Sequence, residues 1–382
     1  MYNYITRGVN TRTLKRLVIS GFIFAILAYL TLYEFGLERL PYFSNLSIVQ
    51  NDTALSNRYK ERHLNVSIHY NGSVSTDDGN ITSPDDVNFI TITLDPCNCQ
   101  RTIVTRMKPS YLNNSFLNST SSCGDWATAR GFGQKVVCYT VFGPFPSPYY
   151  LGILYLMPQL KKFYPGWTAR VYHALNLDVH EQKMWLCQLA CHNPHLDFCD
   201  VRKLPDLGDV SWSAGQLWRF IALGDVLVER FMSRETDGPI LKREVDAVAE
   251  WIESGKCFHV MHDAPTHAMP MLAGTWAGCN TWKIPLFQSI RWKMLLMAKN
   301  AVRKMDQPAL KALLWPKIMN NITIHDSYNC KMYPGSRPFP SQRENLTFVG
   351  LRTFREKWRN DGVWKPCPVW CRPPDHQDWE YC

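Results

Sequence analysis

The sequence predicts an α/β domain, on three observations. Short, largely apolar runs recur, each breaking off in a polar turn. Amphipathic stretches of helical length separate them, and Pro or Gly stands at their ends. The clearest unit lies between Trp218 and Gly278. Val226 to Met232 reads as a buried strand that ends in Ser233-Arg234-Glu235-Thr236-Asp237. Pro239 suits a first helical position and Gly255 the residue just past a helix end. Between them Leu241, Val245, Val248 and Ile252 recur at helical spacing, with Lys242, Arg243, Glu244, Asp246, Glu250 and Glu253 on the other positions. A second short strand then ends in His262-Asp263. Polar residues at strand ends are where open α/β sheets place ligand sites.

Glu235 and Asp237 stand two apart, so in extended chain they project to the same side. Two such carboxylates suit a divalent cation, Mn²⁺ or Mg²⁺, which bridges the phosphates of a nucleotide and offsets leaving-group charge. The same residues also have a simpler reading: Asp237 complements the dipole of the following helix and Glu235 is solvated.

The stretch resembles a family of glycosyltransferase-like proteins with a GT-A-type nucleotide-sugar fold, whose pattern is S-R-D-x-D-S, then R-E-x-x-A-V-x-x-W, F-H-x-M-R-D-x-P-x-H and G-G-x-W-G. Ser233 to Asp237 is similar to the first, with Glu235 for an Asp and Gly238 for the last Ser. Arg243-Glu244, Ala247-Val248 and Trp251 match the second. Phe258-His259, Met261, Asp263, Pro265 and His267 match the third, with His262 in place of Arg. Ala273-Gly274-Thr275-Trp276-Ala277-Gly278 loosens the fourth. The resemblance implies a GT-A-like Rossmann-type mixed sheet flanked by helices over residues 131–350. It implies a nucleotide-sugar donor and a glycan or glycoprotein acceptor. Arg234, Glu235, Asp237 and Arg219 would hold the donor, and Glu235 and Asp237 the metal. His325 would complete the metal shell, with Asp326 as its alternative. Asp263 would take the acceptor's proton or hold donor hydroxyls, and His262, His267 and Trp276 would face the sugars. The departures fall on the site, so a glycosyltransferase-like domain that binds glycans or a partner without turnover is the alternative. Arg219 also suits a structural ion pair, and His325 a strand-end histidine bonded to backbone.

Residues 1–16 carry Arg7, Arg12, Lys15 and Arg16 and no acid. Leu17 to Tyr33 bears no charge and spans roughly 26 Å as a helix, the short end of a membrane crossing. Basic residues before it and Glu34 and Glu38 after it predict a cytosolic tail, a signal-anchor over 17–36 and a single-pass type II topology. A cleaved signal peptide is the competing reading. The short span suits the thinner membranes of the early secretory pathway, the Golgi among them. Sequons at Asn45, Asn51, Asn65, Asn71, Asn80, Asn113, Asn118, Asn321 and Asn345 place the rest in the lumen. Ser, Thr, Asn and Asp dominate 44–86, so 37–130 reads as a glycosylated stalk with a Cys-containing end.

All 13 cysteines follow the apolar segment, which in an oxidising lumen means disulfides. The odd number leaves one free, or pairs it between chains as a disulfide-linked dimer. Zinc at Cys187/Cys191 or Cys367/Cys371 lacks matched second pairs. Further strands are predicted at 135–142, 167–172, 200–203 and 322–328, and helices at 148–163, 178–190, 285–299 and 307–319. Arg337 to Arg343 reads as a basic loop, and 351–382, rich in Trp, Pro and Cys, as a disulfide-pinned cover. The formal charge of +9 suits anionic partners such as nucleotide-sugars. Its basic residues are spread out, which argues against nucleic acid.

Overall fold

The computed structural model describes residues 66–68, 87–106, 119–301, 304–352 and 365–382. The predicted tail, anchor (17–36) and the sequons at Asn45, Asn51, Asn65, Asn71, Asn80, Asn113 and Asn118 lie outside the described residues. Among the described residues no helix is long and apolar enough to cross a membrane.

Among the described residues ten strands fall into two sheets. Strands β1 (Val66–Ile68), β2 (Val87–Leu94) and β3 (Cys99–Arg106) form a small antiparallel sheet. The main sheet holds β4 (Gln134–Val141), β5 (Thr168–His173), β6 (Leu196–Asp200), β7 (Val228–Arg234), β8 (Phe258–His262), β9 (Thr275–Cys279) and β10 (Ile322–Asp326). Its spatial order is β10-β8-β9-β7-β4-β5-β6. Every pairing is parallel except those of β9, which runs antiparallel between β7 and β8.

Helices cover both faces. They are α1 (Asp125–Ala129), α2 (Pro148–Phe163), α3 (His180–His192), α4 (Lys242–Glu253), α5 (Ile284–Met297), α6 (Asp306–Ala309) and α7 (Trp315–Ile318). A 3₁₀ turn spans Gly215–Phe220, and a π turn, Leu310–Leu314, joins α6 to α7. The alternation along β4 divides the core. Val136 and Cys138 pack with Phe231, Phe258, Trp276 and α5. Val137, Tyr139 and Val141 pack on the other side with α2, α3 and Trp251 of α4. A strand buried on both faces reads as a continuous apolar run, as β4 does.

The sequence expectation changes in three places. The folded domain begins before residue 131. Ile90, Ile92, Leu94 and Ile103 of the β2–β3 hairpin are buried in the same core as α3. Cys97 in the hairpin turn and Cys99 at the start of β3 bridge to Cys187 and Cys191, one helical turn apart on α3. The stalk's Cys-containing end is thus part of the domain. Second, β6 lies at Leu196–Asp200 rather than at 200–203. Third, the loosened Gly motif is itself a strand, β9, and Gly278 is required there: a Cβ would stand 2.8 Å from both the Phe231 and Phe258 rings.

Cys123–Cys199, Cys257–Cys279, Cys330–Cys371 and Cys367–Cys382 complete six bridges. Cys330–Cys371 pins residues 365–382 to the domain, and Cys367–Cys382 closes a loop within that segment. The Cys187/Cys191 and Cys367/Cys371 pairs are therefore consumed by disulfides, not zinc. The thirteenth cysteine, Cys138, is fully buried in β4, and burial pushes its thiol up to about 12. It offers no surface thiol for the dimer that the odd count suggested. Two outcomes follow. Alkylation under native conditions spares Cys138, and denaturation without reductant exposes that single thiol to the reagent. Replacing Cys97 and Cys187 together by Ser lowers unfolding free energy by about 2–4 kcal/mol in urea titration.

Candidate active site

From β4 the chain winds outward to β5 and β6, while β7 starts the opposite half of the sheet. Connections therefore leave β4 and β7 in opposite directions, and a crevice opens beyond their carboxyl ends, the position where doubly wound sheets bind ligands. β7 ends at Arg234, so the acidic turn Glu235-Thr236-Asp237 stands at that crevice. The cleft there is lined by Tyr139, Arg234, Glu235, Gly238, Glu244 and Gly350, among others. Gly274 of the following loop also lines it. A Cβ on Gly274 would come within 2.5 Å of the Glu235 Cγ, so the glycine makes room for the longer acid at this turn.

The two acids have different surroundings. The Arg219 Nη1 donates to Glu235 Oε2 at 2.6 Å, and its Nη2 donates to Asp306 Oδ2 at 3.3 Å. Burial raises the Glu235 carboxyl, but the Arg219 charge and hydrogen bond more than offset that and hold it below its ordinary value. Asp237 moves the other way, raised by burial and then by the Glu235 charge. Its Oδ2 lies 3.8 Å from the Arg352 guanidinium, which is 40% exposed.

These residues do not fit a resident Mn²⁺ or Mg²⁺ as they stand. Each carboxylate of the turn already faces a guanidinium. Among the described residues no group of three His, Cys, Asp or Glu side chains is placed to hold a metal. His325, the expected third ligand, sits in β10 with both ring nitrogens engaged: Nδ1 with His259 at 2.8 Å and Nε2 with Glu250 at 2.9 Å. It shares the α4 side of the sheet with Trp251, on which His259 stacks. Asp326, its alternative, pairs with His262 Nδ1 at 2.9 Å and accepts the Tyr328 N–H.

Asp263 is not placed as a proton acceptor. It is fully buried. It accepts from Arg243 and Arg343, from the Ser327 hydroxyl at 2.9 Å and from the Val349 N–H at 2.9 Å. Burial raises its carboxyl, but the two guanidinium groups more than offset this and hold it low. A general base needs access and some proton affinity; Asp263 has neither. Both arginines also donate to the Cys382 carbonyl oxygen, at 2.7 and 3.1 Å. The Asp therefore joins the end of β8, α4, the 341–349 loop and the C-terminal segment.

Most of the remaining candidates are also internal, and His267 is half-buried. Trp276 is fully buried edge-on to Phe220 and Phe231, which removes it from any sugar-facing surface. Arg234 is buried, donating to Glu244 Oε1 at 2.6 Å and to the Ser233 and Trp276 carbonyls. His262 is fully buried against Tyr333, and His267 accepts the Asp263 N–H at 3.1 Å. Asn345 is exposed, whereas the half-buried Asn321 uses its Oδ1 to accept the Cys257 N–H. The structure thus puts Arg234 and Glu235 in the cleft lining, with Arg219 bonded to Glu235 and Asp237 two residues on, and leaves Asp263, His262, His267, Trp276 and His325 out of that lining. Sequence reasoning missed Arg352 and the role of Asp306, both separated from the turn by long stretches of chain, with no spacing to signal them.

No family model matches the chain, and no curated protein matches it in sequence. Among solved structures it is similar to a glycosyltransferase involved in the glycosylation of the major capsid of PBCV-1. The TM-score is 0.30 and the identity 14%, over 51% of this chain and 82% of that one.

Removing the Asp263 carboxylate leaves two guanidinium groups buried without their anion. Asp263→Asn lowers unfolding free energy by about 3–5 kcal/mol in urea, and a loss near that of a surface substitution would refute the role given to it. The histidines set a pH dependence. Burial first of all holds His259, His325 and His267 below the ordinary 6.5, His267 at about 4. The folded chain keeps them neutral while the unfolded chain takes up protons. Their contribution is complete above about pH 6.5 and is lost as the pH falls toward the folded values. The urea midpoint falls from about pH 7 to about pH 5, less steeply in His259→Phe; a flat profile would contradict this.

Proposed function

We propose that the chain is a nucleotide-sugar-dependent glycosyltransferase acting on a glycan or glycoprotein acceptor. In this reading residues 17–36 anchor it in a membrane of the secretory pathway, the Golgi being the fitting station, with the α/β domain in the lumen. The observation that carries the proposal is the acidic turn's position. The segment that resembles the family's donor motif stands at the carboxyl end of β7, beside the reversal of strand order, and lines an open cleft. The six disulfides support an oxidising compartment.

Transfer breaks the bond between the sugar's anomeric carbon and a phosphate oxygen, and forms one to an acceptor hydroxyl that loses its proton. Negative charge grows on the departing phosphates, and a fixed cation beside them lowers the barrier. Tyr139, Gly238 and Gly350 are part of the cleft lining beside which the donor would sit. Asp263 has no part in these steps; its two guanidinium partners make it a structural anion.

That finding favours a second reading, a domain of the same fold that binds glycans or a partner without turnover. The two are separated by incubating the full-length protein with UDP- and GDP-sugars over an array of glycan acceptors. The transferase reading expects one donor to be consumed with transfer, and Gly274→Val, which crowds Glu235, to cut turnover by about tenfold or more without altering the near-ultraviolet dichroism. Consumption of no donor by folded protein that still binds glycans would establish the second reading instead.

A further inference from the structure

We propose that the outer face of α2 lies on a membrane surface and docks the domain against lipid. The partner is the interfacial layer of a phospholipid bilayer, met by an apolar stripe and, past its end, by two lysines. The inference rests on the reading of residues 17–36 as a membrane anchor.

The helix α2 is apolar on two sides. Its inner side, Tyr150, Ile153, Leu156, Met157 and Leu160, is buried in the core with β4 and α3. A helix on the surface of a domain normally turns polar residues outward. Here Leu151, Leu154, Tyr155 and Pro158 follow one another at i, i+3, i+4 and i+7, the spacing of a single helix face, and all four are exposed. Leu151 is 54% exposed, Leu154 40% and Tyr155 57%. The next positions on that face, Lys161 and Lys162, are exposed as well. A helix that is apolar all round needs cover on both sides. Its 16 residues span roughly 24 Å, short of a membrane crossing, and its inner side belongs to the core. It can therefore lie along a bilayer surface and not across it.

Charge distinguishes the partner. No Asp or Glu occurs between Asp125 and Asp178, so α2 and the chain on either side of it bring cations to this face and no acid. A second copy pairing through the same patch would face Lys161 and Lys162 with a surface that supplies no counter-ion from its own α2. Phospholipid phosphates supply it. Lysine stems lie along apolar surface while their ammonium groups reach the headgroups. Tyrosine suits the same depth, with an apolar ring and a polar tip. The order of the chain agrees with this. The apolar run Leu17 to Tyr33 precedes the domain, which the chain enters through β1 and β2. Ile90, Ile92 and Leu94 of β2 share one core layer with the inner side of α2. An anchor in the same chain keeps the domain at high local concentration beside a bilayer, so a patch of this size need not bind unaided.

The test uses the full chain in vesicles of phosphatidylcholine and phosphatidylserine. Cys138 is buried and the other cysteines are bridged, so Tyr155→Cys adds one accessible thiol for a nitroxide label. Lys317→Cys is the reference, exposed on α7, which packs in the other core layer through Ile318. Spin relaxation reads collisions with oxygen, which concentrates in lipid, and with a nickel chelate, which stays in water. The label at 155 gains oxygen collisions and loses nickel collisions severalfold against the label at 317. Leu151→Glu with Leu154→Glu, both at exposed positions, restores nickel access at 155 while the chain stays on the vesicles. Equal nickel access at 155 and 317 in vesicle-bound chain overturns the proposal and leaves the anchor standing. A label at 155 closed to both reagents, or dipolar broadening between the labels of two chains, overturns it in favour of cover by protein. Release of the chain by alkaline carbonate refutes the anchor, and the oxygen and nickel readings taken before that wash still judge α2. A chain that never associates with the vesicles refutes both.

Discussion

Buried carboxylates held by arginine are the constraint on which this fold rests. Asp197 lies under Arg101 and Arg130, Asp225 under Arg170, Glu244 under Arg234, and Asp263 under Arg243 and Arg343. Each pair joins elements far apart in sequence. Asp197 ties β6 to β3 and to the end of α1; Asp225 ties the approach to β7 to β5; Glu244 ties α4 to β7; Asp263 ties the end of β8 to α4 and the late loop. An unpaired charge in a core is prohibitive, so each partner requires the other to be in place. Such pairs add little net stability compared with apolar side chains, but they penalise every arrangement in which the elements fail to meet.

The same pairing shapes the site. Had the turn's carboxylates faced only solvent, a metal would be their natural partner. Arg219 changes that by reaching Glu235 from below, on the strength of a 3₁₀ turn that packs against the end of β4 and β7. The longer acid is part of the arrangement, since Glu235 reaches Arg219 across a space kept clear by Gly274. The antiparallel β9 matters for the same reason. It carries Gly274's neighbour Thr275 back alongside Arg234, so the loop that crowds the acidic turn is fixed by the sheet itself.

Much of the architecture was legible in the sequence because it is periodic. β4, β7, β8 and β10 are short apolar runs with polar ends, and α2, α4 and α5 fall within a few residues of their predicted spans. What stayed hidden is the work done by charged residues. On α4 the sequence reading turned Arg243 and Glu244 to solvent, with Val245 and Ile252 inward; in the fold Arg243 and Glu244 are buried with Ala247, Val248 and Trp251. A hydropathy pattern reads a charge as a solvated residue and cannot see a partner 20 or 100 positions away. Asp263 and His325 failed as site residues for that reason. Their places at strand ends were read correctly, but their partners, Arg343 and Glu250, came from elements that no spacing linked to them.

The hidden partners also change which parts of the molecule are available for chemistry. Nearly all of the acids and histidines that looked functional are internal and satisfied by neighbours. The groups left in the crevice lining are Arg234, Glu235 and Glu244 with the glycines around them. A transferase built from these parts would work by positioning and by fixed positive charge, with water-excluding walls from β4 and α2, and would draw its proton acceptor from outside the set that the strand-end pattern proposed. Both readings, with turnover and without it, depend on Arg219, whose guanidinium holds Glu235 and Asp306 together at the end of β7.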